Sequence, residues 1–189
     1  MSLQQFTKNS YRNSSKQKKQ IGAYVRDDSL SGNRAQVYYN PDTGKTIVSH
    51  TGTNSLTDWM TDARYSMGGL KNTKRYEHAK KIQKEAEQKY GRENVTTTGH
   101  SLGAQLAEKV GNKSNHTYTY NRPVTPFEAL THKLKKNQTD IRTSGDFVSI
   151  VSPFQQMANN QIVVPSKTFN PLTEHSSDAL KDTKGNIFF

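Results

Sequence analysis

The sequence predicts an α/β domain built on a mostly parallel central sheet with flanking helices. Short runs rich in β-branched and aromatic residues alternate along the chain with longer amphipathic segments, as they do in α/β proteins. A glycine follows each of the two clearest amphipathic segments, where helices are expected to end. The length of 189 residues fits a single domain.

The first two predicted strands, residues 35–39 and 45–50, are expected to pair as a hairpin. Pro41 and Gly44 lie in the turn between them. Proline fixes φ and glycine permits a positive φ, so both residues are typical of tight turns.

Residues 73–90 and 101–110 are predicted helices, because each has apolar side chains at the spacing of one helical face. Gly91 and Gly111 follow them as stop signals. The apolar positions are Ala79, Ile82, Ala86 and Tyr90 in the first helix, and Leu102, Leu106 and Val110 in the second. Further strands are predicted at residues 94–98, 115–120, 140–143 and 161–164, and a closing helix at residues 176–181.

The composition predicts a small core and an anionic partner. Hydrophobic residues make up only 31% of the chain, and 27 basic residues outnumber 16 acidic ones, for a net charge of +11. Residues 1–20 contain five basic groups and no acid, so we expect a flexible basic segment there, ordered only where it docks, and one domain over residues 21–189. The charge favours transient contact with an anionic membrane surface, with plain solubility as the alternative. Nucleic acid is a less suitable partner, because no nucleic-acid-binding module is recognisable.

The absence of cysteine excludes disulfides and thiolate metal sites. The Asp, Glu and His residues show no metal-ligand spacing, so we expect neither a metal nor another cofactor. We find no apolar signal-peptide core and no apolar run of about 20 residues, the length that spans a bilayer. We therefore expect a soluble protein, cytoplasmic or associated with a virion.

The most informative segment is Gly99-His100-Ser101-Leu102-Gly103, which has the pattern Gly-x-Ser-x-Gly. A predicted strand precedes it and a predicted helix follows it, the context in which this pattern forms a nucleophile elbow. The serine of such a turn is strained and projects its hydroxyl above the sheet, while a side chain at either glycine would collide with neighbouring backbone. Ser101 is therefore the predicted nucleophile, and the backbone N–H of Leu102 is a predicted donor to an oxyanion.

Two blocks of the sequence together resemble a known family. They are Val-Thr-Thr-Thr-Gly-His-Ser-Leu-Gly at residues 95–103 and Ile-Val-Ser-His-Thr-Gly-Thr-Asn-Ser-Leu-Thr-Asp-Trp-Met-Thr-Asp at residues 47–62. They are similar, in the same order, to the active-site segment and the upstream block of class 3 lipases, the fungal triacylglycerol lipase type. Viral relatives of this group are closest in character. The resemblance covers about residues 35–180 and implies a compact α/β-hydrolase fold.

The resemblance also implies a second oxyanion donor at Thr53, through its backbone N–H and with its hydroxyl as a further candidate. The alternative is that Thr53 only shapes a turn after Gly52. One position departs from the family pattern, because Thr51 stands where the family has arginine. We expect His50 or water to take the place of the missing guanidinium.

The general base and its carboxylate partner are expected in the order serine, acid, histidine. His175 is the predicted base, because it lies in a late loop after the strand at residues 161–164. The other histidines precede Ser101 or lie in a predicted strand or a lysine-rich helical stretch. Asp146 is the predicted acid, since it follows the strand at residues 140–143 in a Gly-Asp-Phe-Val segment that resembles the family's Gly-Asp-x-Val. An ordinary loop histidine and a Gly-Asp turn are the alternatives.

Residues 60–72 occupy the place of the family's lid, and Gly68-Gly69 could hinge it, although an ordinary crossover loop is the alternative. We expect Trp59 to anchor the core, and Asp58 and Asp62 to hold the adjacent loop. His175 follows Asp146 by only 29 positions, so an open and shallow pocket is expected.

The leading hypothesis is a serine hydrolase that cleaves carboxylic esters, in particular lipid or phospholipid acyl esters, through an acyl-enzyme. An amide or thioester hydrolase, or an acyltransferase, could use the same three residues. A lipase-like module that binds without catalysis is the third possibility.

Overall fold

The structure is a computed structural model. It describes residues 2–53, 70, 73–111, 114–123, 135–146, 161–166, 168, 170 and 173. The strands are β1 (Gln20–Ile21), β2 (Tyr24–Arg26), β3 (Ala35–Tyr39), β4 (Thr46–His50), β5 (Val95–His100), β6 (His116–Tyr120), β7 (Gln138–Thr143) and β8 (Gln161–Val164). The helices of more than one turn are α1 (Leu3–Ser10), α2 (Lys74–Tyr90) and α3 (Leu102–Val110). Short 3₁₀ turns cover Ser14–Lys16 and Arg92–Asn94.

All eight described strands form one sheet, in the order in which they occur along the chain. Strands β1 to β4 pair antiparallel, whereas β4 to β8 pair parallel. The predicted hairpin is β3–β4, and Gly44 in its turn has a φ of 70°. The mostly parallel α/β architecture predicted from the sequence, a central sheet with flanking helices, is confirmed.

The sheet is the middle of three layers. Alternate residues of a strand face opposite sides of a sheet, so Ile47 and Val48 enter different clusters. Ile47 packs with Phe6 of α1, whereas Val48 packs with Ile82 of α2. Helix α3 lies on the α2 side, where Leu106 packs with Ala79.

The crossovers that position the functional loops run through α2, between β4 and β5, and α3, between β5 and β6. Right-handed crossovers that add strands in one direction place their helices on the same face, as α2 and α3 show. The carboxyl ends of β4, β5, β6 and β7 consequently meet at one edge of the sheet. The predicted nucleophile, acid and oxyanion loop all follow strands at that edge.

The N-terminal segment, expected to be ordered only where it docks, contains a helix. Residues 3–10 form α1, and Leu3 and Phe6 are buried in the same cluster as the sheet residues Tyr38 and Ile47. The side chain of Asn9 also donates to the Tyr38 hydroxyl at 2.7 Å. The segment docks on the chain's own sheet and completes one of the outer layers, because its few apolar residues share one helical face.

The core is small, as the composition predicts, and polar side chains fill much of the sheet. Thr97 and Thr98 are fully buried. The hydroxyl of Thr97 donates to Ser114 at 3.1 Å and accepts from Gln83 at 2.9 Å, and that of Thr98 lies 3.1 Å from the hydroxyl of Thr7. Buried polar groups cost little when they are hydrogen-bonded in this way.

Two predicted elements lie outside the described residues: the closing helix at 176–181 and the lid segment at 60–72, apart from Leu70. Among the helices that the structure describes, none is long and apolar enough to cross a bilayer.

Candidate active site

Ser101 lies in the sharp turn between β5 and α3, with φ 56° and ψ −128°. This region of φ and ψ is strained for a residue other than glycine. The turn is held by its backbone, because the Ser101 N–H donates to the Tyr120 carbonyl at 3.0 Å and its carbonyl accepts from Ala104 N–H at 2.9 Å. The strand–turn–helix context predicted for the Gly-x-Ser-x-Gly pattern is therefore present.

The two glycines of the pattern allow backbones to approach closely. A Cβ added at Gly99 would overlap the backbone of Gly103. A Cβ added at Gly103 would overlap the carbonyl of His50 and lie 2.8 Å from the nitrogen of Gly52. The end of β4 and the loop after it thus pack directly on the first turn of α3.

The side chain of His100 is directed toward α1 and meets the hydroxyl of Tyr11. That oxygen lies 2.9 Å from the His100 carbonyl, 3.0 Å from His100 Nδ1 and 3.1 Å from the N–H of Gly52. One assignment satisfies all three contacts: Tyr11 donates to the carbonyl and accepts from the other two. Burial raises the pKa of Tyr11 far above its usual value, although the bond from Gly52 lowers it in part, so the hydroxyl stays protonated.

The loop that carries Thr53 is also held from the α2 side. Nη2 of Arg75 donates to the carbonyls of Thr51 and Gly52, both at 2.8 Å. Of the two groups expected in place of the family arginine, His50 does not hold this loop, because it is fully buried and its Nε2 pairs with Gln83 Oε1 at 3.3 Å. The guanidinium that bonds this loop belongs to Arg75, 24 residues beyond Thr51 in the chain.

The two predicted oxyanion donors lie where the loop after β4 meets the turn at Ser101. Leu102 is the first residue of α3. An N–H at this position has no acceptor within the helix and is part of the positive end of the helix dipole. Thr53 follows Gly52, and a Cβ added at Gly52 would lie 2.8 Å from the carbonyl oxygen of His100. The loop and the elbow are therefore in van der Waals contact.

Asp146 is fully buried three residues beyond the end of β7, and its N–H bonds the Thr143 carbonyl at 3.3 Å. Strand β6 separates β7 from β5, so the two strand axes are about 10 Å apart at the usual spacing. Burial lowers the pKa of nearby Arg142, and the negative charges of Asp140 and Asp146 oppose that shift.

Asn121 joins the ends of β6 and β7 near the site, and the sequence analysis did not select it. Its φ is 45°, and its side-chain oxygen accepts the N–H of Thr143 at 3.0 Å. Asparagine tolerates this left-handed conformation better than most residues. Its position directly after a predicted strand was the available signal.

Several predicted residues lie outside the described residues: His175, Trp59, Asp58 and Asp62. Ser101 is only 3% exposed, and the open and shallow pocket expected around it stays a prediction. No group of Asp, Glu and His suited to a metal ion occurs in the part of the chain that the structure describes.

The chain is similar to one protein family and to solved structures of known proteins. Residues 5–136 match the model of a phospholipase-like family described as the Tle-like phospholipase domain. Among solved structures, the chain is similar to the Lip2 lipase from Yarrowia lipolytica, with a TM-score of 0.48 and 16% identity over 80% of this chain and 69% of that one. No curated protein sequence matches significantly. The family match begins within α1 and includes Ser101, but ends before Asp146.

Proposed function

The chain belongs to the Tle-like phospholipase domain family, and from that membership we propose that it hydrolyses acyl esters of lipids with Ser101 as the nucleophile. The observation that carries the proposal is the left-handed backbone of Ser101 between β5 and α3, bounded by glycines that admit no side chain. A strained serine at the start of a helix is the arrangement that exposes a hydroxyl to a nearby base.

In the proposed reaction the Ser101 hydroxyl attacks the ester carbonyl and forms a tetrahedral intermediate. The backbone N–H groups of Leu102 and Thr53 stabilise the oxyanion, and each such donor is worth about 3 to 4 kcal/mol. Collapse expels the alcohol and leaves an acyl-enzyme, which water then hydrolyses by the same route.

His175 is the proposed base, and Asp146 orients its imidazole and stabilises the charged form. The burial of Asp146 beyond β7, two strands from β5, supports this assignment. The resemblance of residues 95–103 to class 3 lipases supports Ser101, and that of Gly-Asp-Phe-Val at residues 145–148 to the family's Gly-Asp-x-Val supports Asp146. Phospholipid is the proposed substrate class, because the family is phospholipase-like and the net charge of +11 favours an anionic bilayer.

The test is ester turnover by S101A, with p-nitrophenyl butyrate and vesicles of phosphatidylglycerol or phosphatidylcholine as substrates. S101A should lower kcat by about 10⁶-fold. D146N and H175N should also have a lower kcat than the wild type in the same assay, because the three residues act as a unit. S166A, at an exposed serine after β8, is the matched control and should stay active.

Labelling by a fluorophosphonate, located by mass spectrometry, separates the alternatives. Label on Ser101 with turnover of amides or thioesters but not esters would change the substrate class. Label on Ser101 with product formed only when an alcohol acceptor is added would indicate an acyltransferase. Folded protein that takes no label and cleaves no ester would contradict the proposal and favour a binding module.

A further inference from the structure

The loop after β4 is clamped between two helices from opposite faces of the sheet. From α2, Arg75 Nη2 donates to the carbonyls of Thr51 and Gly52 at 2.8 Å each. From the end of α1, the hydroxyl of Tyr11 accepts the N–H of Gly52 at 3.1 Å. The carbonyl groups of Thr51 and Gly52 and the N–H of Gly52 are thus held by side chains that are distant in sequence.

Peptide planarity turns this clamp into a direction for Thr53. All described peptide bonds are trans, so each C=O points opposite the N–H of the next residue. The Thr51 carbonyl points at Arg75, and the N–H of Gly52 on the other side reaches Tyr11. The Gly52 carbonyl also points at Arg75, so the N–H of Thr53 is directed away from it.

The side of the loop opposite Arg75 is the side that faces the elbow. Tyr11, which accepts the Gly52 N–H, also bonds the carbonyl of His100, the residue before Ser101. A Cβ added at Gly103 would lie 2.8 Å from the nitrogen of Gly52. The Thr53 N–H is therefore aimed toward the side where an oxyanion on Ser101 would form.

We propose that Arg75 is a positioning residue that aims the Thr53 N–H into the oxyanion hole by holding the Gly52 carbonyl. The inference rests on the proposed function and extends it to a residue on α2. Arg75 does not touch the substrate; it restricts the rotation of one peptide group. A donor that is already aimed stabilises the transition state without reorganisation.

The test compares R75Q and R75K with the wild type on p-nitrophenyl butyrate. R75Q should lower kcat by about 10- to 100-fold, below the loss from removing a whole donor, with KM within about twofold. R75K should recover part of the loss, because one ammonium nitrogen can donate to both carbonyls. K84Q, at an exposed lysine of the same helix, is the matched control and should equal the wild type.

A thionoester substrate separates positioning from general damage. Its sulfur accepts hydrogen bonds weakly, so a lost oxyanion donor should cost less with this substrate than with the oxygen ester. R75Q should therefore lower turnover of the thionoester by less than about threefold. Equal losses on both substrates, or a kcat equal to that of the wild type, would overturn the proposal.

Circular dichroism and thermal unfolding establish that each variant is folded. If R75Q does not fold, R75K carries the test, with the same unequal loss expected on a smaller scale. Wild-type protein that neither turns over esters nor labels at Ser101 removes the proposed function and this inference together. Active wild type with an unaffected R75Q and R75K removes the inference alone.

Discussion

At the scale of single residues, close contacts of the backbone explain why glycines lie around Ser101. Gly99, Gly103 and Gly52 each stand where a Cβ would meet another main chain or a buried hydroxyl. The need for glycine at the first two positions was predicted from the sequence, because both belong to the short Gly-x-Ser-x-Gly pattern. Tyr11 and Arg75 were not, since their contacts with Gly52 join positions 41 and 23 residues apart.

We expect His50 to make the stability of the protein depend on pH. Burial, as the main cause, lowers its pKa to about 4, although the bond to Gln83 opposes the shift. The unfolded chain, with a histidine pKa of about 6.5, binds more protons between these values, so stability should fall as the pH drops from about 6.5 to about 4. The full loss is roughly 3 kcal/mol below that range.

H50Q should remove this dependence while keeping a side chain that can bond Gln83. Urea unfolding of both proteins at pH 7, 5.5 and 4.5 measures the difference. We expect the free energy of unfolding of the wild type to fall more steeply with acid than that of H50Q. Parallel curves for the two proteins would show that His50 does not contribute.

At the scale of elements, periodicity and stop signals predicted α2 and α3 within one residue of their observed starts. Thr73 caps α2 by accepting the Tyr76 N–H at 3.1 Å, and Gly91 ends it with a φ of 82°. Strands β3 to β8 were also predicted, with small errors at their ends. Helix α1 and the short strands β1 and β2 were missed, because few apolar residues mark them and their stability comes from packing.

Phe6 tests the contribution of α1 to the fold. It is 1% exposed, and its ring packs edge-on against Tyr24 and Tyr38 with centroids 5.3 and 5.2 Å away. F6A should lower the free energy of unfolding by about 3 to 5 kcal/mol, measured by denaturant titration. F6L should lower it less, and Q5A at an exposed position of the same helix should change it by less than about 0.5 kcal/mol. An F6A protein as stable as Q5A would show that α1 is not part of the core.

At the scale of the whole molecule, charge and topology act together. The sheet order brings the ends of β4, β5, β6 and β7 to one edge, where all the described candidate residues lie. The excess of basic groups surrounds a core in which much of the sheet is polar. The stability of such a small core depends on hydrogen bonds between buried hydroxyl and amide groups as well as on buried apolar area.

Salt should weaken binding to anionic vesicles if the net charge of +11 directs the protein to a membrane surface. The screening length falls from about 10 Å at 0.1 M salt to about 3 Å at 1 M. Cosedimentation with phosphatidylglycerol vesicles should therefore decrease by about tenfold or more over that range. Phosphatidylcholine vesicles serve as the control, and equal, salt-independent binding to both would contradict an electrostatic contribution.

The sequence by itself determined the α/β class, the hairpin, two of the helices and the serine turn, because each depends on residues close together in the chain. The tertiary structure alone decided that α1 completes an outer layer and that Arg75 and Tyr11 hold the loop before Thr53. Those features arise from contacts between distant segments, which local patterns do not encode. Thr51 illustrates the difference. The sequence showed that threonine stands where the family has arginine, but only the packing of α2 against β4 showed that the guanidinium of Arg75 bonds the Thr51 carbonyl.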